Sequence, residues 1–372
     1  MKKLLYSLIS IFILLIIFLI NKKNDGNTNE MKQQGMTFYV GTYTTNSSEG
    51  IYKYSLLGNG IIEFIGLAVK TENPSFITKS ADKKYLLAVN ENKDGTIKSF
   101  EINEDSLKFI SKSSSGGAHP CFVSVNKEGY VLVANYTGGN VGLIKLGNNG
   151  KLSTLLDVQQ HYGKGTTDRQ KTPHAHSVWF ESNDKNIISV DLGTNELIFS
   201  SIDSEKQKLI PSEQKKLKID AGAGPRHLTF HPSKKWIYTV NELNSTVSLI
   251  KKEKNNYALV SSFSTLPKNC TEENTCADIH ISNDGKFLYA SNRGHNSIAI
   301  FSIDTDGKLR LLSHESTRGN GPRNFSLSPD NNFILVANQH TDNIVSFKRD
   351  VKTGMLKYIM EVKAPAPVCI LF

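Results

Sequence analysis

Residues 222–246 read GAGPRHLTFHPSKKWIYTVNELNST, and this stretch shows most clearly the unit from which the chain is built. It predicts a loop, a strand over residues 227–231, a tight polar turn, a second strand over residues 236–241, and another loop. The first loop carries Arg226 and the last carries Glu242. Two strands joined by a tight turn have their outer ends side by side, so we expect Arg226 and Glu242 to lie close together at one rim of a sheet.

The same unit recurs along the chain. Each copy has a strand, a polar turn, a second strand that ends in Asn or Asp, and a further strand. The copies cover residues 74–91, 120–136, 174–195, 277–297 and 322–343. The residue that ends the second strand recurs every 45 to 56 positions, at Asn90, Asn135, Asp191, Asn241, Asn292 and Asn338. A period of this length, with about four strands per unit, is typical of a β-propeller.

Six units are complete, and the two ends of the chain together supply a seventh. Residues 38–43 have the pattern of a second strand, with a third over 51–56 and a fourth over 62–69. The missing first strand matches residues 367–372, PVCILF. We therefore predict an all-β fold, a seven-bladed β-propeller over residues 37–372, whose last blade is closed by the C-terminal strand pairing with the N-terminal strands. This closure leaves no open sheet edge.

Residues 1–36 precede the repeats and predict a separate segment. Residues 4–20 are almost entirely apolar, and lysines flank them on both sides. Their length is at the lower limit for a membrane span and above that of a usual signal-peptide core. We expect an uncleaved anchor, or else a cleaved signal, followed by a polar linker, with the body extracytoplasmic and either anchored or exported. If translation starts at Met31 or Met36, the protein is cytoplasmic instead.

The charge of the chain excludes one class of partner. The formal net charge is +9 over 372 residues, and most lysines are scattered through predicted turns. Scattered lysines are typical of solvated turns, so we expect no nucleic-acid binding. A small anionic ligand is compatible with this charge. We expect contact with a membrane only through the N-terminal segment, and a monomer.

The four cysteines predict no metal site. Cys121 and Cys369 lie in apolar, strand-like runs and are expected to be buried. Cys270 and Cys276 flank the loop TEENT, and a disulfide between them is one option if the body is extracytoplasmic. No Cys/His spacing typical of zinc occurs.

Polar residues from separate repeats are predicted to meet at one end of the central channel. The first strand of each blade lines the channel, and the loops that enter it and leave the second strand share one rim. Loops on a rigid scaffold are the usual place for a site. The rim residues are His119, His174, His176, Arg226, His227, Glu242, Arg293, Arg323, Gln339 and His340.

His174 and His176 are the candidates for a general base. They lie in TPHAHSVWF, and residues two apart on a strand face the same way, so both could point into the channel. Alternatively, one of them packs or bonds to backbone. His176 is deeper in the predicted strand, and we favour it, because a neutral imidazole near pH 7 suits a general base.

The arginines of the rim favour an anion site. Arg226 and Glu242 could form only a structural ion pair. However, Arg293 follows Asn292 as Glu242 follows Asn241, and Arg323 repeats Arg226 two blades on. Several arginines around one channel favour binding of a carboxylate or phosphate.

One loop is longer than its equivalents. Residues 157–173 contain His161, Asp168 and Arg169 and lengthen the interval before the third blade. This loop is either a lid that contacts substrate or a solvated rim loop.

These motifs resemble those of the cycloisomerase-2 or lactonase family of seven-bladed propellers, which includes propeller-type 6-phosphogluconolactonases. The stretches that carry the resemblance are GAGPRHLTFHPSKKWIYTVNELNSTV, ADIHISNDGKFLYASNRGHNSIAIF and PHAHSV. The resemblance covers residues 37–372 and implies lactone hydrolysis or muconate lactonisation without a metal or organic cofactor. It implies that the channel histidine is His174 or His176, and that Arg226, Glu242 and Arg293 belong to the catalytic set.

We therefore expect a metal-independent lactonase that acts on a small anionic sugar δ-lactone, most simply 6-phosphogluconolactone. Catalysis is expected from His176, Arg226, Glu242 and Arg293, with His176, His174 or Glu242 as the base that removes a proton from the attacking water. Substrate binding is expected from His174, His119, His227, Arg323 and Gln339.

Three other functions are kept as alternatives. One is a carboxy-muconate-type cycloisomerase, and another is a non-catalytic envelope propeller that binds a glycan or protein. The third, a calcium-dependent gluconolactonase, would need more channel carboxylates than Glu242, Asp191 and Asp278.

Overall fold

A computed structural model of the chain describes residues 35–45, 47–104, 106–254 and 256–372. The predicted anchor and linker lie outside these residues, except for Gly35 and Met36. Among the described residues, no helix has the length and apolar character that crossing a membrane requires.

The described part of the chain is almost entirely β-strand, with one short 3-10 helix, η1 (Asp168–Gln170). In chain order the strands are β1 (Met36–Thr42), β2 (Gly50–Leu56), β3 (Ile62–Lys70), β4 (Ile77–Lys79), β5 (Tyr85–Asn90), β6 (Thr96–Ile102), β7 (Leu107–Ser114), β8 (Pro120–Val125), β9 (Tyr130–Asn135), β10 (Asn140–Lys145), β11 (Asp157–Gln160), β12 (Ala175–Phe180), β13 (Asn186–Asp191), β14 (Glu196–Asp203), β15 (Lys208–Lys218), β16 (Pro225–Phe230), β17 (Trp236–Asn241), β18 (Thr246–Glu253), β19 (Asn256–Ser264), β20 (Thr275–Ile281), β21 (Phe287–Arg293), β22 (Ser297–Ile303), β23 (Leu309–Ser316), β24 (Pro322–Leu327), β25 (Phe333–Asn338), β26 (Asn343–Arg349), β27 (Leu356–Lys363) and β28 (Pro367–Leu371).

These strands form seven four-stranded antiparallel sheets. Six sheets use four consecutive strands each, from β4–β7 through β24–β27, and the seventh has the order β28-β1-β2-β3. The first strand of each sheet contacts the first strands of its two neighbours, so these strands form the inner ring. The fold is the predicted seven-bladed β-propeller, and β28 closes the last blade by pairing Cys369 with Gly41 of β1.

The core lies between neighbouring blades. Second strands such as β9 (YVLVAN) and β25 (FILVAN) are buried at every position, because each blade is packed on both faces. Phe38 and Tyr54 of the last blade, for example, share one hydrophobic cluster with Phe333 and Leu335 of its neighbour. Fourth strands are at the perimeter, and β15 alternates between exposed and partly buried residues. The apolar content of the sequence is thus used to join blades rather than to fill one central core.

The inner strands of six blades begin with a β-bulge. In β16, Pro225 pairs with Asn241 and His227 pairs with Val240, so Arg226 has no residue opposite it. A bulge bends the strand and redirects the extra side chain. The extra residues are Cys121, His176, Arg226, one of the pair Ala277 and Asp278 (which lie opposite Ser291 alone), Arg323 and Val368.

The optional disulfide between Cys270 and Cys276 does not form, since both are free thiols in the structure. Cys276 is buried at the start of β20, where its Sγ lies 3.1 Å from Thr265 Oγ1 and 3.3 Å from Asn292 Oδ1. The thiol of Cys276 therefore points toward these polar groups inside the blade and away from the loop that carries Cys270. Cys121 and Cys369 are buried, as their apolar surroundings predict.

Candidate active site

Three arginines converge on the carboxylate of Glu242 at the predicted rim. Arg226 Nε and Arg293 Nη2 each lie 3.0 Å from Glu242 Oε2, and Arg169 Nη2 lies 2.8 Å from Oε1. Arg226 and Glu242 are neighbours because the bulge of β16 lies beside the end of β17, which is the proximity that the tight turn predicts. Arg293 ends β21 in the next blade, and Arg169 lies in η1.

The carboxylate of Glu242 is buried but ionised. Burial alone would raise its pKa, but the charges of Arg293, Arg226, Arg169 and Arg323 lower the pKa to about 2. Burial and the neighbouring charges of Arg323 and Arg293 lower the pKa of Arg226 to about 10. Both groups remain charged at neutral pH, and Glu242 holds together cations that would otherwise repel one another.

The two buried arginines are oriented by backbone carbonyls. Arg226 Nη1 donates to Ala277 O at 2.5 Å, and Arg293 Nη2 donates to Cys276 O at 2.8 Å. Arg293 Nε is buried and has no partner among the described residues. A buried donor without a partner is unusual and is suited to a ligand atom.

His227 supports Arg226 from below. Its Nε2 lies 3.2 Å from Arg226 Nη1, and its Nδ1 lies 2.8 Å from Asp278 Oδ1. Burial and the charge of Arg226 lower the pKa of His227 to about 4, so the ring is neutral. The sequence predicts that His227 binds substrate. In the structure both of its ring nitrogens contact protein groups, so His227 is placed to position Arg226.

Asp278 joins three inner strands beneath the rim. Its carboxylate accepts hydrogen bonds from the side chain of Asn324 and from the backbone N–H of Ile279 and Phe325. It also contacts the rings of His227 and His280. Burial would raise the pKa of Asp278, but His280 and His227 hold it well below its usual range. With its acceptor positions filled, this carboxylate is part of the scaffold of the site.

His174 and His176 occupy different environments, and of the two options that the sequence leaves open, His174 follows the one in which a histidine packs and bonds to backbone. Strand β12 begins at Ala175, so His174 precedes it. The ring of His174 stacks on Tyr136 with centroids 4.4 Å apart, and its Nδ1 lies 3.0 Å from Tyr136 O. His174 therefore packs against a neighbouring blade.

His176 is the bulge residue of β12 and is buried. Its ring lies between Tyr136 and His227, with centroids 5.5 and 5.4 Å away. Nδ1 is 3.8 Å from Cys121 Sγ, while Nε2 forms no hydrogen bond with any described residue. Burial and the charge of Arg226 lower the pKa of His176 well below 6.5. The ring is thus neutral and has an unused nitrogen lone pair.

A second cluster at the rim includes two residues that sequence reasoning did not assign to the site, Tyr43 and Glu91. Arg323 Nη2 donates to Tyr43 OH at 3.0 Å, and Tyr43 OH donates to Glu91 Oε2 at 2.8 Å. Burial lowers the pKa of Arg323, but Tyr43, Glu91 and Glu242 raise it by more.

The missed residues follow a positional rule that the sequence does contain. Tyr43, Glu91 and Tyr136 directly follow Thr42, Asn90 and Asn135. Glu242 and Arg293 have the same position in other blades, directly after Asn241 and Asn292. Aligning that single position across all blades would have placed them at the rim.

The remaining predicted rim residues, His119, Gln339 and His340, form no side-chain hydrogen bond with the described residues. Gln339 has the same position after β25, but its side chain forms no hydrogen bond with a described residue, and His340 is exposed. His119 precedes β8 with a φ of 52°, and its Nδ1 is buried without a partner in the described structure.

The long loop brings only one of its three candidate residues to the site. Arg169 contacts Glu242 and donates from Nη2 to Tyr136 OH at 3.2 Å. His161 is buried, with Nδ1 2.7 Å from Asp191 Oδ2. Asp168 faces solvent and pairs with Lys171.

The opposite end of the inner strands has a cavity of about 590 Å³ that contains none of the predicted site residues. Trp179, Phe230 and Tyr257 are among the residues that line it. In the described ranges, no group of three or more His, Cys, Asp or Glu side chains is arranged to hold a metal ion. The charged side chains of the rim are the arginines together with Glu242 and Glu91.

The fold is a ring of seven blades, and one rim of the ring carries arginines, an ionised glutamate and a neutral histidine. The chain belongs to the family described as Lactonase, 7-bladed beta-propeller, which matches residues 37–372. It is accordingly a lactonase, a carboxylic ester hydrolase.

Relatives and solved structures agree with this family. The chain is 33% identical over 343 residues to the 6-phosphogluconolactonase of Bacillus subtilis, covering 90% of this chain and 97% of that protein. It is 35% identical over 332 residues to the 6-phosphogluconolactonase of Formosa agariphila, covering 86% and 94%. The periplasmic gluconolactonase of Pseudomonas aeruginosa has a similar structure, with a TM-score of 0.86 at 29% identity, covering 90% and 98%.

Proposed function

We propose that the protein hydrolyses a sugar δ-lactone, with 6-phosphogluconolactone as its substrate, using side chains alone. The observation that carries the proposal is the convergence of three arginines on one ionised glutamate, Glu242, next to the neutral ring of His176. Two relatives named 6-phosphogluconolactonase support the choice of lactone.

Arg226 and Arg293 stabilise the oxyanion in this proposal. When water attacks the ring carbonyl, negative charge develops on the carbonyl oxygen. Arg293 Nε has no partner among the described residues, and both guanidinium groups are held by carbonyls of the inner strand β20. Donors that are fixed before the reaction need no rearrangement in the transition state, and removing one typically costs about 10²- to 10³-fold in kcat.

His176 acts as the general base rather than Glu242. A carboxylate whose pKa is about 2 has little affinity for a proton at neutral pH. His176 is neutral and its Nε2 is free to accept a proton from water. His176 takes a proton as the water oxygen bonds to the carbonyl carbon, which gives a tetrahedral oxyanion. When this intermediate re-forms its C=O bond, the ring C–O bond breaks, and the imidazolium gives its proton to the leaving ring oxygen. Burial beside Arg226 disfavours the imidazolium and promotes that return.

Charge at the rim supports an anionic substrate. Four guanidinium groups, those of Arg169, Arg226, Arg293 and Arg323, face two rim carboxylates, Glu242 and Glu91. A phosphate monoester carries about two negative charges at neutral pH and would balance the excess.

Initial-rate assays with 6-phosphoglucono-δ-lactone and glucono-δ-lactone, corrected for spontaneous hydrolysis, test the proposal. We expect the phosphorylated lactone to have the higher kcat/KM. Arg226→Ala should lower kcat/KM by about 10² or more, whereas Arg310→Ala, on the exposed side of β23, should not. The proposal is wrong if the wild-type protein accelerates neither lactone, and turnover of a muconate instead would support the cycloisomerase alternative.

We also propose that the body is extracytoplasmic, as residues 1–36 predict. The periplasmic gluconolactonase of Pseudomonas aeruginosa supports this location. Cell fractionation with an antibody against the body would detect it in the membrane or outside the cell, and recovery only in the cytosolic fraction would contradict export.

A further inference from the structure

We propose that Arg169 determines substrate specificity by leaving Glu242 to bind the anionic substituent of the lactone. This inference rests on the proposed function and adds a residue and a role to it.

Arg169 differs from the other two arginines on Glu242 in its exposure. Its side chain is 50% exposed, compared with 3% for Arg226 and 16% for Arg293. Arg226 and Arg293 are held by inner-strand carbonyls, whereas the bonds of Arg169 go to the side chains of Glu242 and Tyr136. Arg169 is therefore the member of the set that a ligand from solvent reaches first.

The backbone that carries Arg169 is fixed on both sides. Before it, His161 Nδ1 bonds to Asp191 Oδ2 at 2.7 Å in a buried pair. After it, the buried Gln170 side chain donates from Nε2 to Leu192 O and Asn195 Oδ1, both at 2.7 Å. The side chain of Arg169 can thus rotate while its backbone stays in place at the rim.

The contact between Arg169 and Glu242 is suited to exchange. Glu242 keeps two buried arginine partners if Arg169 leaves, so its charge stays compensated. Water reaches the half-exposed Arg169 side of this ion pair, and ion pairs that water can reach contribute little to stability. A phosphate or carboxylate offers an arginine two parallel hydrogen bonds in place of the single one to Glu242 Oε1.

Tyr136 extends the same recognition surface. Its OH accepts from Arg169, which leaves the hydroxyl hydrogen for a ligand oxygen, and its ring is held by stacking on His174. A lactone whose carbonyl lies at Arg226 and His176 would direct its far substituent toward this outer pair. Arg169 should consequently affect the KM of charged lactones and leave kcat nearly unchanged.

The test compares Arg169→Gln with wild type on 6-phosphoglucono-δ-lactone and glucono-δ-lactone. Losing a charge-assisted contact should raise KM for the phosphorylated lactone about 10- to 100-fold. We expect kcat for that lactone to change much less than its KM, and kcat/KM for the uncharged lactone to fall much less than kcat/KM for the phosphorylated one. Arg169→Lys should recover part of the loss. Lys171→Gln, an exposed cation two residues further on, is the matched control and should behave as wild type.

Calorimetric titration with the products 6-phosphogluconate and gluconate gives a readout that does not depend on turnover. Wild type should bind the phosphorylated acid more tightly, and Arg169→Gln should abolish the difference. Equal effects on both ligands, no effect, or a fall in kcat alone would overturn the role of Arg169. A wild-type protein that hydrolyses neither lactone would refute the proposed function itself, whatever Arg169 binds.

Discussion

Glu242 balances the charge of the candidate site. It is buried, and its carboxylate is the shared partner of Arg226, Arg293 and Arg169. Without this negative charge, guanidinium groups within a few ångströms of one another would repel. Glu242 thus contributes to catalysis through the position of the arginines, a role different from that of the base.

We expect Glu242→Gln to lower kcat/KM by about 10²-fold or more, because the displaced arginines no longer form the oxyanion site. Breaking a buried ion pair by removing one partner costs about 3–5 kcal/mol, so thermal stability should fall as well. Steady-state kinetics and thermal unfolding measure the two effects.

Glu181→Gln is the matched control for that variant. Glu181 is also buried and contacts Lys252 and Tyr257, but it lies at the opposite end of the inner strands. This variant should lose stability and keep its activity at permissive temperature. Equal losses of activity in the two variants would show that Glu242 acts only on stability.

The lowered pKa of His176 predicts the pH dependence of the reaction. A base works only when unprotonated, and a pKa below 6.5 keeps this imidazole unprotonated at pH 6.5. With the uncharged substrate glucono-δ-lactone, kcat/KM should therefore stay level as pH falls through 6.5 and decline only at lower pH. His176→Gln should remove most of the activity, and His231→Gln, at the far end of β16, should leave the profile unchanged. An acid limb centred at or above pH 6.5 would contradict the assignment.

At the scale of the element, bulges at the start of the inner strands carry the site. A regular strand would turn residue 226 to one face of the blade, where the neighbouring blade packs. The extra residue of the bulge frees the side chains of Arg226, His176 and Arg323 from that packing. The same device is repeated in several blades, which explains how a repeated scaffold presents different chemical groups around one channel.

Gly193 packs closely against the segment that leads into the inner strand β12. A Cβ at this position would lie 2.0 Å from Thr172 O and 2.8 Å from His174 N, in the segment that enters β12. Gly193→Ala should push this segment away and displace His176, costing about 1–3 kcal/mol of stability and lowering kcat/KM. Thermal unfolding and kinetics measure both effects. Gly147→Ala, where the nearest contact is the mobile end of Asn149 at 3.1 Å, should be mild; if both variants behave alike, the close approach is not a constraint.

At the scale of the whole molecule, the ring depends on its last strand. Strand β28 pairs with β1 and contacts β24 and β4, so it joins the last blade to both neighbours. Its side chains Val368, Cys369 and Ile370 are buried. Removing it would expose an edge of β1 and open the inner ring.

A chain that ends at Ala366 should be insoluble or melt at a much lower temperature than the full chain, because it lacks the inner strand of one blade. Solubility and thermal unfolding check this. A milder test of the same strand is Cys369→Asp, which places a charge in buried β28 and should lower the melting temperature. Cys270→Asp is its control, because that position is only partly buried. Unchanged melting of the truncated chain would show that closure by β28 is dispensable.

The fold could be predicted from the sequence because a propeller repeats local information. Each blade has its own strands, turns and terminal Asn or Asp, and a period of 45 to 56 residues identifies the ring. The C-terminal run PVCILF completed the pattern and correctly predicted the closing strand. Part of the rim could also be predicted from the sequence, since Arg226, Glu242 and Arg293 occupy loop positions that the repeat defines.

What only the tertiary structure decided is which rim residues meet. Arg169 reaches Glu242 across 73 positions of sequence, and Tyr43 meets Arg323 across 280. The difference between His174 and His176 depends on where β12 begins and on its bulge. Neither feature can be predicted from the pattern of apolar residues. Local patterns determine strands and turns, whereas the distance between side chains of different blades depends on ring closure and strand register. The sequence alone thus identifies a seven-bladed lactonase, and the closed ring decides how Glu242 gathers its arginines beside a neutral histidine.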